Sequence, residues 1–291
     1  LKDRGTDTFL HGSVQLFGRL DPTLLDTALE ILSLTPESPG CSDEKLSARQ
    51  LAGAAEQELA HYREMDPSLQ ARVEVRDDIT GILVSHGNFL IGSDANVARS
   101  RLDATLNHEI GTHALTYHNG SQQPLQQLYA GMAGYEELQE GLAVLAEYLS
   151  GGLTLPRLQL LAGRVVAVRN ICEGASFAEC FHSLHDNYGF RPFTAYNMTM
   201  RVYRGGGYTK DMIYLRGFIA LLDYLSGEEE MDLLYCGKIA MEHLHLLQEL
   251  RWRGVLKPLA LTPRYLQIPS CRDRLRTLRS EPTIQHITGN L

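Results

Sequence analysis

In the segment Asn107–Gly120, NHEIGTHALTYHNG, His108 and His113 stand five residues apart, with Glu109 beside the first. Leu102, Leu106, Ile110 and Ala114 mark the segment as one amphipathic helix, with Asn119-Gly120 as its C-cap. That combination limits the backbone severely. Two imidazoles share a metal ion from one helix when they stand four residues apart. At five, an ideal helix turns the second ring about 140° away from the first. A π turn removes the misfit, because its i→i+5 hydrogen bonds bring such residues back into line. Gly111 and Thr112, both weak helix formers, sit where it must be inserted. Taken alone, HEIGTH still reads first as two unrelated helix histidines.

A third ligand changes that reading. In YEELQEGLAVLAEYLSGG (Tyr135–Gly152), Leu138, Leu142, Leu145 and Leu149 form one stripe, while Glu136, Glu140 and Glu147 fall on the opposite face. Gly141, Ala143, Val144 and Ala146 fill the flanks, and no lysine or arginine appears. A helix apolar nearly all round is a buried one, and buried carboxylates must be paired or bind metal. His108, His113 and Glu140, with Glu136 as second choice, make the His₂Glu set of a catalytic zinc, one ion with a fourth position open to water. Glu109 then stands where a carboxylate accepts a proton from water that a metal has acidified. His118, in the last turn, reads as a helix-end residue suited to the dipole.

The 291 residues suffice for a single domain, 1–291, with a helical N-terminal part over 1–70 and the sheet, ligand helices and C-terminal helices over 71–291. Thr35–Asp43 reads as a loop, after which Ser42 or Asp43 opens a long helix. The segment ARVEVRDDITGILVSHGNFLIGSDA reads as two or three strands with SHGN as a turn. Helices are expected over 98–118, 124–150, 156–172, 176–188, 192–204, 210–226 and 230–252. The fold class is therefore α+β: a helical majority with a small antiparallel sheet ahead of the zinc helix.

Five cysteines (Cys41, Cys172, Cys180, Cys236, Cys271) without CxxC spacing point to free thiols in a reducing, cytosolic compartment. The N-terminus lacks the apolar core of a signal peptide, and no run of 18 apolar residues suggests a membrane span, so no membrane partner is expected. A net charge of −8 argues against nucleic acid. Between Arg251 and Arg279, however, eight basic residues face Asp273 alone, a pattern that fits either a docking surface for an acidic partner or an ordinary solvated face.

Three motifs in order, HEIGTH, then QEGLA at Gln139–Ala143, then RVYRGGGYTKDMIYLRG at Arg201–Gly217, resemble the QEGLA-motif family of metallohydrolases, and within it the animal microtubule-associated tyrosine carboxypeptidases. EGLA is also similar to the ligand helix of gluzincin peptidases, which supports Glu140. The resemblance runs from FLHGSVQLFG to the last helix. It implies a gluzincin-like fold and a zinc metallocarboxypeptidase of the cytoplasmic microtubule cytoskeleton. Such an enzyme removes the C-terminal tyrosine of the α-tubulin tail, with zinc-activated water attacking the last peptide bond. Its partners would be that tail and the microtubule.

A carboxypeptidase must grip a free carboxylate, for which Lys210 and Arg204, then Arg201, are the candidates around Gly205–Gly207; internal ion pairing is the competing role of the two arginines. Tyr208 and Tyr214, with Tyr203, are candidates for oxyanion or substrate contact. The strand ILVSHGNFLIG offers an edge for a peptide or is an ordinary internal strand. Two other readings are a metallopeptidase with other peptide substrates and a catalytically silent microtubule-binding module.

Overall fold

The computed structural model describes residues 2–35, 43–227 and 230–291. In chain order the helices are α1 (Asp7–Phe17), α2 (Pro22–Ser33), α3 (Ala48–Met65), α4 (Leu102–His108), α5 (Leu115–Gln122), α6 (Gln127–Ala130) and α7 (Tyr135–Leu149). They continue with α8 (Leu155–Cys172), α9 (Phe177–His182), α10 (Pro192–Tyr203), α11 (Ile213–Leu225), α12 (Leu244–Trp252), α13 (Pro269–Ser280) and α14 (Ile284–Thr288). The strands are β1 (Lys45–Ser47), β2 (Val73–Arg76), β3 (Ile82–Ser85), β4 (Asn88–Gly92) and β5 (Asn96–Ala98). Among the described residues no helix is long and apolar enough to cross a membrane.

Two compact units are present, one of residues 1–38, 154–216 and 288–291, the other of 39–153 and 217–287. In the first, α8 packs on α2 and α10. Leu158, Leu161, Val165, Val166 and Val168 make α8 buried on nearly every side. In the second, α3 contributes Leu51, Ala55, Leu59 and Tyr62 to a core shared with Phe89 and Ile91 of β4 and with Leu106, Ile110 and Leu115. The apolar stripe of the histidine helix thus faces a sheet and a helix, which fixes which way its polar side looks.

The SHGN turn forms as expected. His86 (φ 49°) and Gly87 (φ 80°) are both left-handed, the two-residue hairpin geometry that matches strand twist, and β3 and β4 pair antiparallel. The sheet is not wholly antiparallel, however. Its order is β2-β4-β3, and β2 runs parallel to β4. The tight turn assigns one edge of β4 to β3, so β2 takes the other edge and there matches β4 in direction.

Helix starts moved where tertiary pairing took the residues. Lys45–Ser47 pair with Asn96–Ala98, so α3 begins at Ala48, capped by Ser47 and Gln50 in a reciprocal box. Asp43 instead accepts a hydrogen bond from the Ser100 backbone at 3.0 Å, and Ser42, with most of the Thr35–Asp43 loop, lies outside the described residues. Asn119-Gly120 does not cap the histidine helix, which continues to Gln122. The buried Asn119 side chain bonds Tyr235 O and Leu261 O and accepts from Leu261 N, a tertiary use that replaces capping. Residues 124–150 split at Gly131 and Gly134, both with positive φ, into α6 and α7. Thr209–Met212 and Met231–Tyr235 form 3₁₀ turns ahead of α11 and α12.

Helices α7 and α11 cross at two glycines. A Cβ on Gly141 would lie 2.3 Å from the Gly217 carbonyl carbon, and one on Gly217 would lie 2.0 Å from Glu137 O. Both are backbone atoms that cannot swing aside, so Gly141→Ala must push the helices apart. We expect a loss of about 1–3 kcal/mol in urea unfolding, the usual range for overpacking. A loss below about 0.5 kcal/mol, within the range of an ordinary surface change, would contradict this close crossing.

Candidate metal centre

Residues Glu109–Ala114 form a π turn between α4 and α5, at the place and of the kind that five-residue histidine spacing requires. The Thr112 hydroxyl donates to Asn107 O at 3.0 Å, meeting a carbonyl that the widened turn would otherwise leave short of a donor. The rings of His108 and His113 then lie 5.1 Å apart at 76°.

Glu140 of α7 completes the group. His108, His113 and Glu140 each offer one ligand atom, and the three atoms lie within 4.8 Å of one another. Glu140 Oε2 is 3.8 Å from His108 Nε2 and 3.7 Å from His113 Nε2. Glu109 Oε1 stands 4.0 Å from His108 Nε2, on the side where the ligand atoms meet. These four side chains keep 11–17 % of their surface exposed, enough for a small ligand to reach them. Glu136, the second choice, is not part of this convergence; its charge acts on Lys238.

The donor set fits a divalent cation on its own chemistry. His108 Nδ1 lies 2.9 Å from Glu147 Oε1, and His113 Nδ1 lies 3.3 Å from Gln139 Oε1. Both acceptors place the ring proton on Nδ1, leaving the Nε2 lone pairs directed at Glu140, the tautomer a metal needs. Burial presses the His113 pKa down, but the hydrogen bond and charge of Glu140, with Glu109 and Gln139, carry it above the ordinary imidazole value. Such a group calls for positive charge at its centre.

Glu147 is the residue that the sequence reading undervalued. Only 1 % exposed, it binds His108 with one oxygen and Arg101 Nη2 with the other, at 2.6 Å, while Arg101 also donates to Gly152 O. The signal was present: Glu147 stands seven residues after Glu140, on the same helix face. Its partner Arg101, 46 residues away in sequence, was not readable. Glu147→Gln keeps the shape and removes the charge behind His108. We expect zinc affinity, measured by chelator competition, to fall about 10–100-fold. Unchanged affinity would make Glu147 a packing residue only.

His118 is buried and bonds Asp66 Oδ2 at 2.7 Å, a tie to the end of α3 rather than a helix-end charge. Cys172, Cys180, Cys236 and Cys271 are free thiols; Cys41 lies outside the described residues.

The five substrate-contact candidates belong to the unit of 1–38, 154–216 and 288–291. Arg201 clamps Asp211 with two hydrogen bonds of 2.7 and 2.8 Å, the internal pairing that sequence left open. Arg204 lies 6.0 Å over the Tyr208 ring, and Tyr208 meets Phe17 edge-on at 5.4 Å. Tyr214 carries the Arg164 guanidinium 5.0 Å from its ring centre. Lys210 sits in the 3₁₀ turn, not at the start of a helix. The Tyr203 hydroxyl donates to Ala175 O. The triple glycine packs against the chain's own start: Gly5 N donates to Gly205 O, and Phe9 and Leu10 fill the space beside Gly205 and Gly207.

The basic run near the C-terminus is partly neutralised. Arg251 pairs with Glu230, Arg253 with Glu249, Arg264 with Glu58 and Arg276 with Asp273. On α13, Arg272 and Arg276 share one exposed face.

Compared with known families, residues 1–281 match the family model described as microtubule-associated tyrosine carboxypeptidase, MATCAP. No curated protein matches the chain.

Proposed function

The chain belongs to the microtubule-associated tyrosine carboxypeptidase family, and from that premise we propose that it is a zinc metallocarboxypeptidase removing the C-terminal tyrosine of the α-tubulin tail. The observation that carries the reading is the convergence of His108, His113 and Glu140 within 4.8 Å, with Glu109 alongside. When bound there, zinc supplies Lewis acidity that brings the ionisation of water towards neutral pH and polarises the scissile carbonyl.

The chain's own residues do the rest. His108, His113 and Glu140 hold the cation, and Glu147 and Gln139 hold the two imidazoles in the ligating tautomer. Glu109 accepts the proton of the attacking water and delivers it to the amine of the departing tyrosine, so the peptide C–N bond breaks without a free amide anion. For substrate contact the candidates are Lys210, Arg204, Tyr208 and Tyr214, whereas the fork of Arg201 is occupied by Asp211. Arg272 and Arg276, exposed on α13, support a docking face for the acidic microtubule surface, and with it a role on the cytoplasmic cytoskeleton. Residues 1–291 are read as one catalytic domain with a gluzincin-like arrangement of ligands.

The test is mass spectrometry of peptides ending in Glu-Glu-Tyr, with a free or an amidated C-terminus, incubated with purified protein. Release of tyrosine from the free acid alone is expected. Equal cleavage of the amide, or cleavage of internal bonds, would point instead to a metallopeptidase of other specificity. No cleavage of either peptide or of microtubules would leave a microtubule-binding module.

A further inference from the structure

Arg164 stands on α8 with only 12 % of its side chain exposed. A buried guanidinium needs a counter-charge and acceptors for its five N–H groups. Asp211, itself 2 % exposed, is the one carboxylate it faces among the described residues, and both oxygens of Asp211 are taken by Arg201. Arg164 Nε is left 3.9 Å from Asp211 Oδ2, near enough for an ion pair but too far for a hydrogen bond, and it is buried with no hydrogen-bond partner among the described residues.

No hydrogen bond from its two Nη groups is found among the described residues, and unlike Nε neither of them is closed off from solvent. Arg101, with 22 % of its side chain exposed, shows the contrast, since it bonds both Glu147 and a backbone carbonyl.

Charge points the same way. Arg201 and Arg157 act on Arg164 with like charge, and Arg204 with Arg201 acts on Asp211, so several cations share one acid. Burial, opposed by Asp211 and helped by Arg201 and Arg157, pushes the Arg164 pKa down to about 10, which still leaves it charged at neutral pH. The Tyr214 ring 5.0 Å away steadies the guanidinium by a cation–π contact but neutralises nothing.

We propose that Arg164, held between Asp211 and Tyr214, is the anchor of a carboxylate-binding site and that its ligand is a peptide carboxylate. The flat fork of one arginine matches a planar monoanion, and the nearby Asp211 disfavours a dianionic phosphate. The inference rests on the carboxypeptidase reading for the ligand's class alone: a peptide carboxylate, either a terminal α-carboxylate or a glutamate side chain. Nothing in the sequence marked Arg164, one of seven basic residues between Arg164 and Arg216.

The test is calorimetric titration, in the Glu109→Gln protein so that nothing is turned over, with three hexapeptides: one ending Glu-Glu-Tyr as the free acid, the same peptide amidated, and one ending Gln-Gln-Tyr as the free acid. With Arg164 present, loss of the recognised carboxylate is expected to weaken binding at least about 10-fold, the low end for a desolvated charge-assisted pair. Sensitivity to amidation identifies the α-carboxylate as the ligand; sensitivity to Gln-Gln identifies a side chain.

With Arg164→Gln that sensitivity disappears, and with Arg164→Lys it is intermediate. If Arg164→Gln weakens all three peptides alike, or leaves the discrimination intact, the site is refuted and Arg164 is structural. Should Arg164→Gln fail to fold, as judged by its melting temperature, Arg164→Lys decides: discrimination equal to that with Arg164 refutes the bidentate anchor. Discrimination that depends on Arg164, in a protein whose unmutated form releases no tyrosine, would retain the site and overturn the proposed function alone.

Discussion

Glu109→Gln protein is expected to bind one equivalent of zinc and to release tyrosine from free-acid peptides about 10²–10⁴-fold more slowly, the range for removing a positioned general base. The argument is geometric. Glu109 is next to the candidate ligand His108 in the chain, yet its carboxylate stands 4.0 Å from His108 Nε2 and outside the trio whose atoms converge. Glutamine keeps the volume and the acceptor oxygen but takes no proton at neutral pH. The loss should fall on kcat with little change in KM, because proton transfer belongs to the transition state and substrate binding does not need it. Zinc content by elemental analysis and single-turnover kinetics check both halves. Substantial activity in the Glu109→Gln protein would remove the base from the account.

His108→Ala and Glu140→Ala should behave oppositely, losing the metal first and activity as a consequence. Structural zinc sites are worth roughly 10–16 kcal/mol over about four ligands, so deleting one of three protein ligands costs on the order of 4 kcal/mol, or about 10³-fold in Kd. The two substitutions are also informative against each other. Removing Glu140 leaves the imidazoles oriented by Glu147 and Gln139, whereas removing His108 strands Glu147 with Arg101 as its charge partner. Chelator competition with a zinc indicator measures both. Wild-type affinity in either variant would mean that the metal, if there is one, sits elsewhere.

The convergence of His108, His113 and Glu140 was legible because its requirements are local. The histidine spacing demanded a π turn, Gly111 and Thr112 marked its place, and the turn lies there at Glu109–Ala114. The buried character of α7 followed from a helix without lysine or arginine, and the choice of Glu140 over Glu136 was supported by the resemblance of EGLA to a ligand helix. The SHGN turn was equally local. What escaped depends on partners distant in sequence. Glu147 was seen as one of three acids on a face, but its roles come from His108 and from Arg101, 46 residues back. Arg164 looked like any basic residue until Asp211 proved to be claimed by Arg201. Asn119-Gly120 has the chemistry of a helix end, yet contacts with Tyr235 and Leu261 kept the helix going. The direction of β2 depended on which edge of β4 remained open. Gly141, inside the quoted motif, owes its identity to the backbone of Gly217, 76 residues on, and not to any ligand chemistry.

X-ray absorption spectroscopy at the zinc edge of the purified protein tests the central claim most directly. The account predicts one zinc per chain with a shell of nitrogen and oxygen at about 2.0–2.2 Å, an imidazole signature from two histidines, and loss of that signature in His113→Ala. A sulfur shell at about 2.3 Å, which would assign the metal to thiols such as Cys172, or an unchanged spectrum in His113→Ala, would contradict it.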